Sequence, residues 1–224
     1  VWWLRNIKFV TFRGFEFDGS ACSVSFTAPH SIIQYVDFGA TDIIYDNLTF
    51  HDWTSRVQGA FIVDNTGVRI AARTTLRNIH GYNHRPANTD HAEVIYIAAS
   101  DVTVEDSYFH DNGGAAVIAN SNTAQMQDLT FRRLRLRNNG TISAAYGNGV
   151  AFNTTGNISF SGVKNSKAHD IIITESHNGL ASRSGAISWR WSNNDEVYNV
   201  SIYGADGPCL WTDTNATGAR IQNV

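Results

Sequence analysis

The sequence predicts an all-β solenoid in which each turn of the chain supplies three short parallel strands. Two observations predict it. A tetrad made of a turn residue, an apolar residue, any residue and a second apolar residue recurs along the chain, as Asn6-Ile-Lys-Phe9, Asp42-Ile-Ile-Tyr45, Gly67-Val-Arg-Ile70, Asp101-Val-Thr-Val104, Asp128-Leu-Thr-Phe131, Asn157-Ile-Ser-Phe160, Asp170-Ile-Ile-Ile173 and Asn199-Val-Ser-Ile202. Such self-similarity is the mark of stacked units that bury a shared core. The apolar residues also alternate with period two in short runs rich in Val, Ile, Thr and Phe, and the breaks between runs are Gly, Asn, Asp and Ser. Alternation with β-branched filling opposes a helical repeat, and short polar breaks suit corners.

One turn can be read from Asp101 to Ile118. Asp101 leads into Val102-Thr-Val104, Asp106 and Ser107 lead into Tyr108-Phe-His110, and Asp111-Asn-Gly-Gly114 leads into Ala115-Ala-Val-Ile118. First strands are expected after each tetrad's turn residue, and with the tetrad at Asn157 set aside the gaps between tetrads run from 25 to 42 residues. A constant motif at irregular gaps means turns of one kind carrying loops of different length. The gap from Asp128 to Asp170 holds the extra tetrad at Asn157 and the stretch 140–149, so it is either one turn with a long insertion or two minimal turns. Second strands end on a large residue followed by a polar one: Phe50-His51-Asp52, Ile79-His80-Gly81, Phe109-His110-Asp111 and Leu136-Arg137-Asn138. That pattern predicts one inward column of Phe50, Ile79, Phe109 and Leu136, with His51, His80 and His110 stacked at the corner. Third strands are expected at 59–63, 94–97, 115–118, 150–152, 185–189 and 208–211.

Composition bounds what the repeat can build. The 224 residues, 42% hydrophobic and 12% aromatic, suit a single domain spanning 1–224 with an ample core. With 17 basic and 20 acidic residues the formal charge is −3, which gives no reason to expect nucleic acid or an anionic membrane surface as partner. No apolar run of about 18 residues predicts a transmembrane helix. Val1-Trp-Trp-Leu-Arg5 lacks the basic start and apolar core of a signal peptide, and neither end offers an amphipathic helix as a cap. The expectation is the central part of a longer secreted or cell-surface protein.

These corners and strands, with the phrase Gly207-Pro-Cys-Leu-Trp-Thr-Asp213, resemble the right-handed parallel β-helix of the pectin-lyase-like superfamily, and the resemblance covers nearly the whole chain. It implies a right-handed single-stranded parallel β-helix of about seven rungs, lacking its terminal caps. It is specific for fold and poor for function, since that fold hosts lyases, inverting hydrolases, esterases, epimerases, tailspikes and adhesins. In such a fold Cys22 and Cys209 stand about six rungs apart, near 30 Å at roughly 4.8 Å per rung and far beyond the ~7 Å a disulfide can span. Both are expected to be free.

Most of the tempting side chains have a plain structural reading. Asp42, Asp101, Asp128 and Asp170 precede a strand at what reads as one corner, where a short acceptor bonds the next backbone N–H groups; Asn or Gly stands there in other turns. The His column reads as stacked corner residues ahead of a metal site. Arg133, Arg135 and Arg137 alternate with Leu134 and Leu136 and so point outward, as a solvated face or as a subsite for acidic sugars.

Chemistry is expected where the third strand begins. The loop 80–93 concentrates His84, Arg85, Asp90, His91 and Glu93, and long polar loops in compact domains are often functional. Asn88-Thr-Asp90 followed by Asp111 is similar to the start of the polygalacturonase-like pattern, in which carboxyls ~6.5 to 9.5 Å apart leave room for an attacking water. The match departs at Asn112, and neither a Gly-His-Gly nor an Arg-x-Lys follows. For lyase chemistry, Asp90, Glu93 and Asp111 would supply oxygens to calcium, and Lys164, Arg135 or Arg137 the base.

The resulting expectation is an extracellular protein acting on a polysaccharide, as a lyase or glycoside hydrolase of acidic polysaccharide. Asp90, His91 and Asp111 are the candidate catalytic residues, and Glu93, His110, Arg135, Arg137, Trp189 and Trp191 the candidate substrate contacts. Calcium is the candidate cofactor. The alternative is a non-catalytic sugar-binding or adhesin-like solenoid, in which Trp189, Trp191, Trp211 and Tyr203 form a stacking surface.

Overall fold

A computed structural model describes residues 2–21, 34–37, 40–53, 61–64, 73–85, 94–120, 126–141, 158–177, 185–212 and 216–224. The described residues are all-β, with no helix among them and hence none long and apolar enough to cross a membrane. Every ladder is parallel. Trp2–Arg5, Gln34–Asp37, Phe61–Asp64, Ile95–Ala98, Val117–Asn120, Ile158–Ser161, Ile187–Arg190 and Leu210–Thr212 pair in chain order as an 8-stranded sheet. An 11-stranded sheet holds Lys8–Arg13, Glu16–Asp18, Thr41–His51, Thr74–Tyr82, Val102–Glu105, Tyr108–His110, Thr130–Arg132, Arg135–Arg137, Lys167–Thr174, Glu196–Tyr203 and Arg220–Gln222. Met126–Gln127 and Val163–Lys164 form a two-stranded pair.

The all-β expectation holds, and the finer architecture is corrected. Instead of uniform rungs of three short strands in a right-handed parallel β-helix, the described residues form one large 11-stranded sheet beside the 8-stranded sheet and the small pair. The expected first and second strands stay separate in Lys8–Arg13 and Glu16–Asp18, Val102–Glu105 and Tyr108–His110, and Thr130–Arg132 and Arg135–Arg137, but not everywhere in this sheet. They run together in Thr41–His51, Thr74–Tyr82, Lys167–Thr174 and Glu196–Tyr203, each passing straight through a left-handed residue: Asn47, Asn78, Asp170 or Asn199, with φ between 54° and 56°.

The tetrads misled because one motif serves three places. Register aligns Asp42, Asp101 and Asp128 with Phe9 and Arg73 at a first left-handed position. Asp170 and Asn199 belong to a second, aligned with Asn47, Asn78, Asp106 and Arg133. The residues after Asn157 form Ile158–Ser161, a strand of the 8-stranded sheet, so among the described residues the long gap holds no further first strand. The tetrad at Gly67 and the strand expected at 150–152 lie outside the described residues. The first two places need a residue tolerant of positive φ followed by alternation, and Asn and Asp meet that need most cheaply.

Side chains at these positions bond sideways to the next strand. Arg73 grips Asp42 with two bonds of 2.6 Å, Arg133 grips Asp106 at 2.6 and 2.8 Å, and Asn199 Nδ2 donates to Asp170 Oδ1 at 3.0 Å. The Arg73 bond and its charge hold Asp42 down to about 2; Arg77 with Asn78 and Arg13 does the same for Asp46.

Under the second half of the large sheet lies the inward column. Phe50, Phe109 and Leu136 share it as expected, and all three are buried. Ile79 does not. It is buried two residues earlier, opposite Leu48, and Gly81 stands between Phe50 and Phe109. A Cβ on Gly81 would come within 2.8 Å of the Phe109 ring and of Val94, so the glycine makes room for the phenylalanine above it. Beyond the corner, Asn112 and Asn139 are buried and bonded to each other at 2.8 Å; Asn112 also donates to Gly81 O and accepts from His84 N–H. That donor requirement explains why Asn stands where a hydrolase pattern needs Asp: a carboxylate has no N–H to give.

Candidate metal centre

The outer face of the same half-sheet carries the chemistry. Alternation places Glu16 and Asp18 outward on their strand, and register sets Asp18 beside His51 while Phe17 and Phe50 turn inward. The next residue, Asp52, takes a left-handed conformation (φ 59°), which folds its carboxylate back beside the His51 ring. His51 Nδ1 lies 2.7 Å from Asp52 Oδ2 and 4.0 Å from Asp18 Oδ1. One donor atom from each of Asp18, His51 and Asp52 falls within 4.8 Å of the other two. Such a cluster can coordinate a divalent ion. Two ligands at ~2.1 Å from an ion span up to roughly 4.2 Å, and the exposed Asp18 would close the remaining distance by turning from its 2.8 Å bond with Ser20 N–H.

The surroundings orient the imidazole. His51 Nε2 faces Glu16 Oε1 at 3.1 Å, and the ring stacks on Tyr82 with centroids 5.0 Å apart and planes 5° from parallel. The bond to Asp52 raises the His51 pKa against the opposing effect of burial, with Glu16 adding to the rise. His51 and Asn83 hold Asp52 below the usual carboxylate range, and hydrogen bonds from Ser20 do so for Asp18. With Nδ1 on a metal, the Nε2–H would donate to Glu16, the outer carboxylate partner that metal-bound histidines ordinarily have.

Of the residues expected to carry function, Asp90, His91 and Glu93 lie outside the described residues. Asp111 is a corner residue (φ 56°) that accepts from His110 Nδ1 at 2.6 Å and from Asn138 Nδ2. Partial burial pushes its pKa up, but these two bonds prevail and it ends lowered. Arg135 lies over the Tyr108 ring at 5.7 Å and Arg137 pairs with Glu175 at 3.2 Å; both point outward, as alternation with Leu136 requires. The stacking pair separates. Trp189 is a core residue, 1% exposed, while Trp191 is 43% exposed at a left-handed corner, so they share no surface. The histidine column is also corrected: Tyr82 stands between His51 and His110, and His80 occupies the adjacent outward position beside Tyr108. Cys209 has a free, exposed thiol; Cys22 lies outside the described residues.

Sequence reasoning passed over Asp18 and treated Asp52 only as a corner. A signal was present, since His-Asp recurs as His51-Asp52, His110-Asp111 and His169-Asp170, with Nδ1 to Oδ2 distances of 2.6 to 2.7 Å in all three.

No protein-family model and no curated protein matches the chain. The pectin-lyase-like resemblance therefore finds no support in comparison, and the sheet topology departs from the architecture on which it rested. The reading as a polysaccharide lyase, glycosidase or sugar-binding solenoid, which was inferred from that architecture, falls with it.

Proposed function

We propose that the protein binds a divalent transition-metal ion of the Zn2+ class through Asp18, His51 and Asp52. The observation that carries this reading is the convergence of three donor atoms from three residues within 4.8 Å. An imidazole nitrogen among the donors favours Zn2+ and its neighbours over calcium, which prefers an all-oxygen shell. Three protein ligands leave a position open for water or an anionic ligand, the pattern of sites that act on a bound molecule.

Calorimetric titration of metal-stripped protein tests it. Zn2+ should bind with one equivalent at this cluster and much more tightly than Ca2+, and Asp52→Asn or His51→Gln should weaken that binding at least tenfold. Equal binding by the wild type and both variants would overturn the assignment.

A further inference from the structure

On the next two strands of the same face, four rings form a square. His80 and Tyr82 on Thr74–Tyr82 stand opposite Tyr108 and His110 on Tyr108–His110, so the histidines occupy one diagonal and the tyrosines the other. Each imidazole packs against both phenols. His80 lies 5.5 Å from Tyr108 and 4.8 Å from Tyr82; His110 lies 5.1 Å from Tyr82 and 4.5 Å from Tyr108. Across the diagonal, His80 Nε2 meets His110 Nε2 at 2.9 Å.

We propose that His80 and His110 form a second divalent-metal site, a two-imidazole site for Cu2+, Ni2+ or Zn2+, separate from the Asp18, His51 and Asp52 cluster. Three features support it. The first is spacing: two nitrogens bound to one ion at ~2.1 Å lie roughly 3.0 Å apart when cis at a right angle and roughly 3.4 Å apart in a tetrahedron. The observed 2.9 Å matches the former spacing, and the rings must turn so that both lone pairs meet on the ion and not along the nitrogen–nitrogen line. The second is the outer partner. Asp111 Oδ2 accepts from His110 Nδ1 at 2.6 Å, which places that ring's proton on Nδ1 and leaves the Nε2 lone pair directed toward His80. Metal binding then requires that His80 shift its own proton from Nε2 to Nδ1, since the two facing nitrogens share a single hydrogen in the free protein, and that both rings turn toward the ion. The third is preorganisation. Ring packing on both sides limits each imidazole to small rotations, so little entropy remains to be lost on binding. The carboxylate cluster has one nitrogen donor and this pair has two, so softer ions that favour imidazole should prefer the pair.

Cu2+ added to metal-stripped protein and read by electron paramagnetic resonance distinguishes the two sites. The wild type should show a species with two equatorial nitrogens, and Asp18→Asn/Asp52→Asn should retain it, because the pair does not use that cluster. His80→Gln and His110→Gln should each lose the two-nitrogen signal and bind at least tenfold more weakly. Asp111→Asn keeps both histidines; it should retain the signal shape while affinity drops 10- to 100-fold. It also serves if a histidine variant fails to fold, as judged by circular dichroism. A two-nitrogen signal that persists in folded His80→Gln, or that is missing from the wild type, or an Asp111→Asn variant with wild-type affinity, would overturn the proposal. None of these results bears on binding at Asp18, His51 and Asp52, whose signal carries one nitrogen.

Discussion

His51-Asp52 and His110-Asp111 are the same dipeptide at the same place two strands apart, with the histidine outward and the aspartate at a left-handed corner. Within each pair the geometry is nearly identical, 2.7 and 2.6 Å from Nδ1 to Oδ2. Their neighbours differ. The strand beside His51 brings Glu16 and Asp18, and carboxylates converge there; the strand beside His110 brings His80, and two imidazoles face each other. In a parallel stack, the residue one strand away decides the chemistry of a corner as much as the corner's own sequence does.

The two corners share a floor, and removing it should have the largest effect. Phe109 is buried beneath the His110 strand and packs against Gly81, which separates it from Phe50 beneath the His51 strand. Phe109→Ala should lower unfolding stability by roughly 3 to 5 kcal/mol in denaturant titration. A loss below about 1 kcal/mol would show that the corners are supported independently.

Next come the carboxylates. Asp52→Asn should weaken Zn2+ binding at the first site by 10- to 100-fold, and Asp111→Asn should leave that site unchanged in the same calorimetric titration. Equal losses would mean the corners act as one site. Gly81→Ala tests the floor from the opposite direction. Its added methyl must displace the Phe109 ring and Val94, at about 1 to 3 kcal/mol in thermal or chemical unfolding, and a neutral result would place the Phe109 ring elsewhere.

The smallest expected effect is on pH dependence. The folded-state pKa of His51 is raised, so its contribution to stability is fully present below the unfolded value near 6.5 and is lost as pH rises through the folded value. The melting-temperature difference between the wild type and His51→Gln, both free of metal, should therefore be larger at pH 6 than at pH 8. Asp195, which burial pushes up to about 6, loses stability in the same direction at lower pH and cancels in that difference. Zn2+ affinity should move the opposite way and fall as pH drops, since the proton competes for Nδ1.

Local features were legible in the sequence. Alternation around Leu136 placed Arg135 and Arg137 outward, and Phe109 inward, because a strand has only two faces. Third strands near 61, 95, 117, 187 and 210 were visible from apolar runs after Gly or loops. The inward column failed only at Ile79, where both Ile79 and Gly81 satisfy alternation and a phenylalanine from another strand chose the glycine. Of the nine expected site residues, Asp90, His91 and Glu93 lie outside the described residues, and Asp111 proved to be a corner partner of His110 and Asn138.

By itself, then, the sequence determined that the described residues are all-β, which side chains of strands such as Tyr108–His110 and Arg135–Arg137 face inward or outward, and that Asn and Asp stand at corners. These depend on a residue and its immediate neighbours. Only the tertiary structure decided that Asp101 and Asp170 sit at different corners, that short strands merge into an 11-stranded sheet, and that Asp18 meets His51 while His80 meets His110. Register partners across this stack are separated by anything from 22 to 41 residues, so spacing along the chain does not index position in the sheet. Register is set by packing summed over whole strands, and a site built from side chains on two strands exists only once that register is fixed.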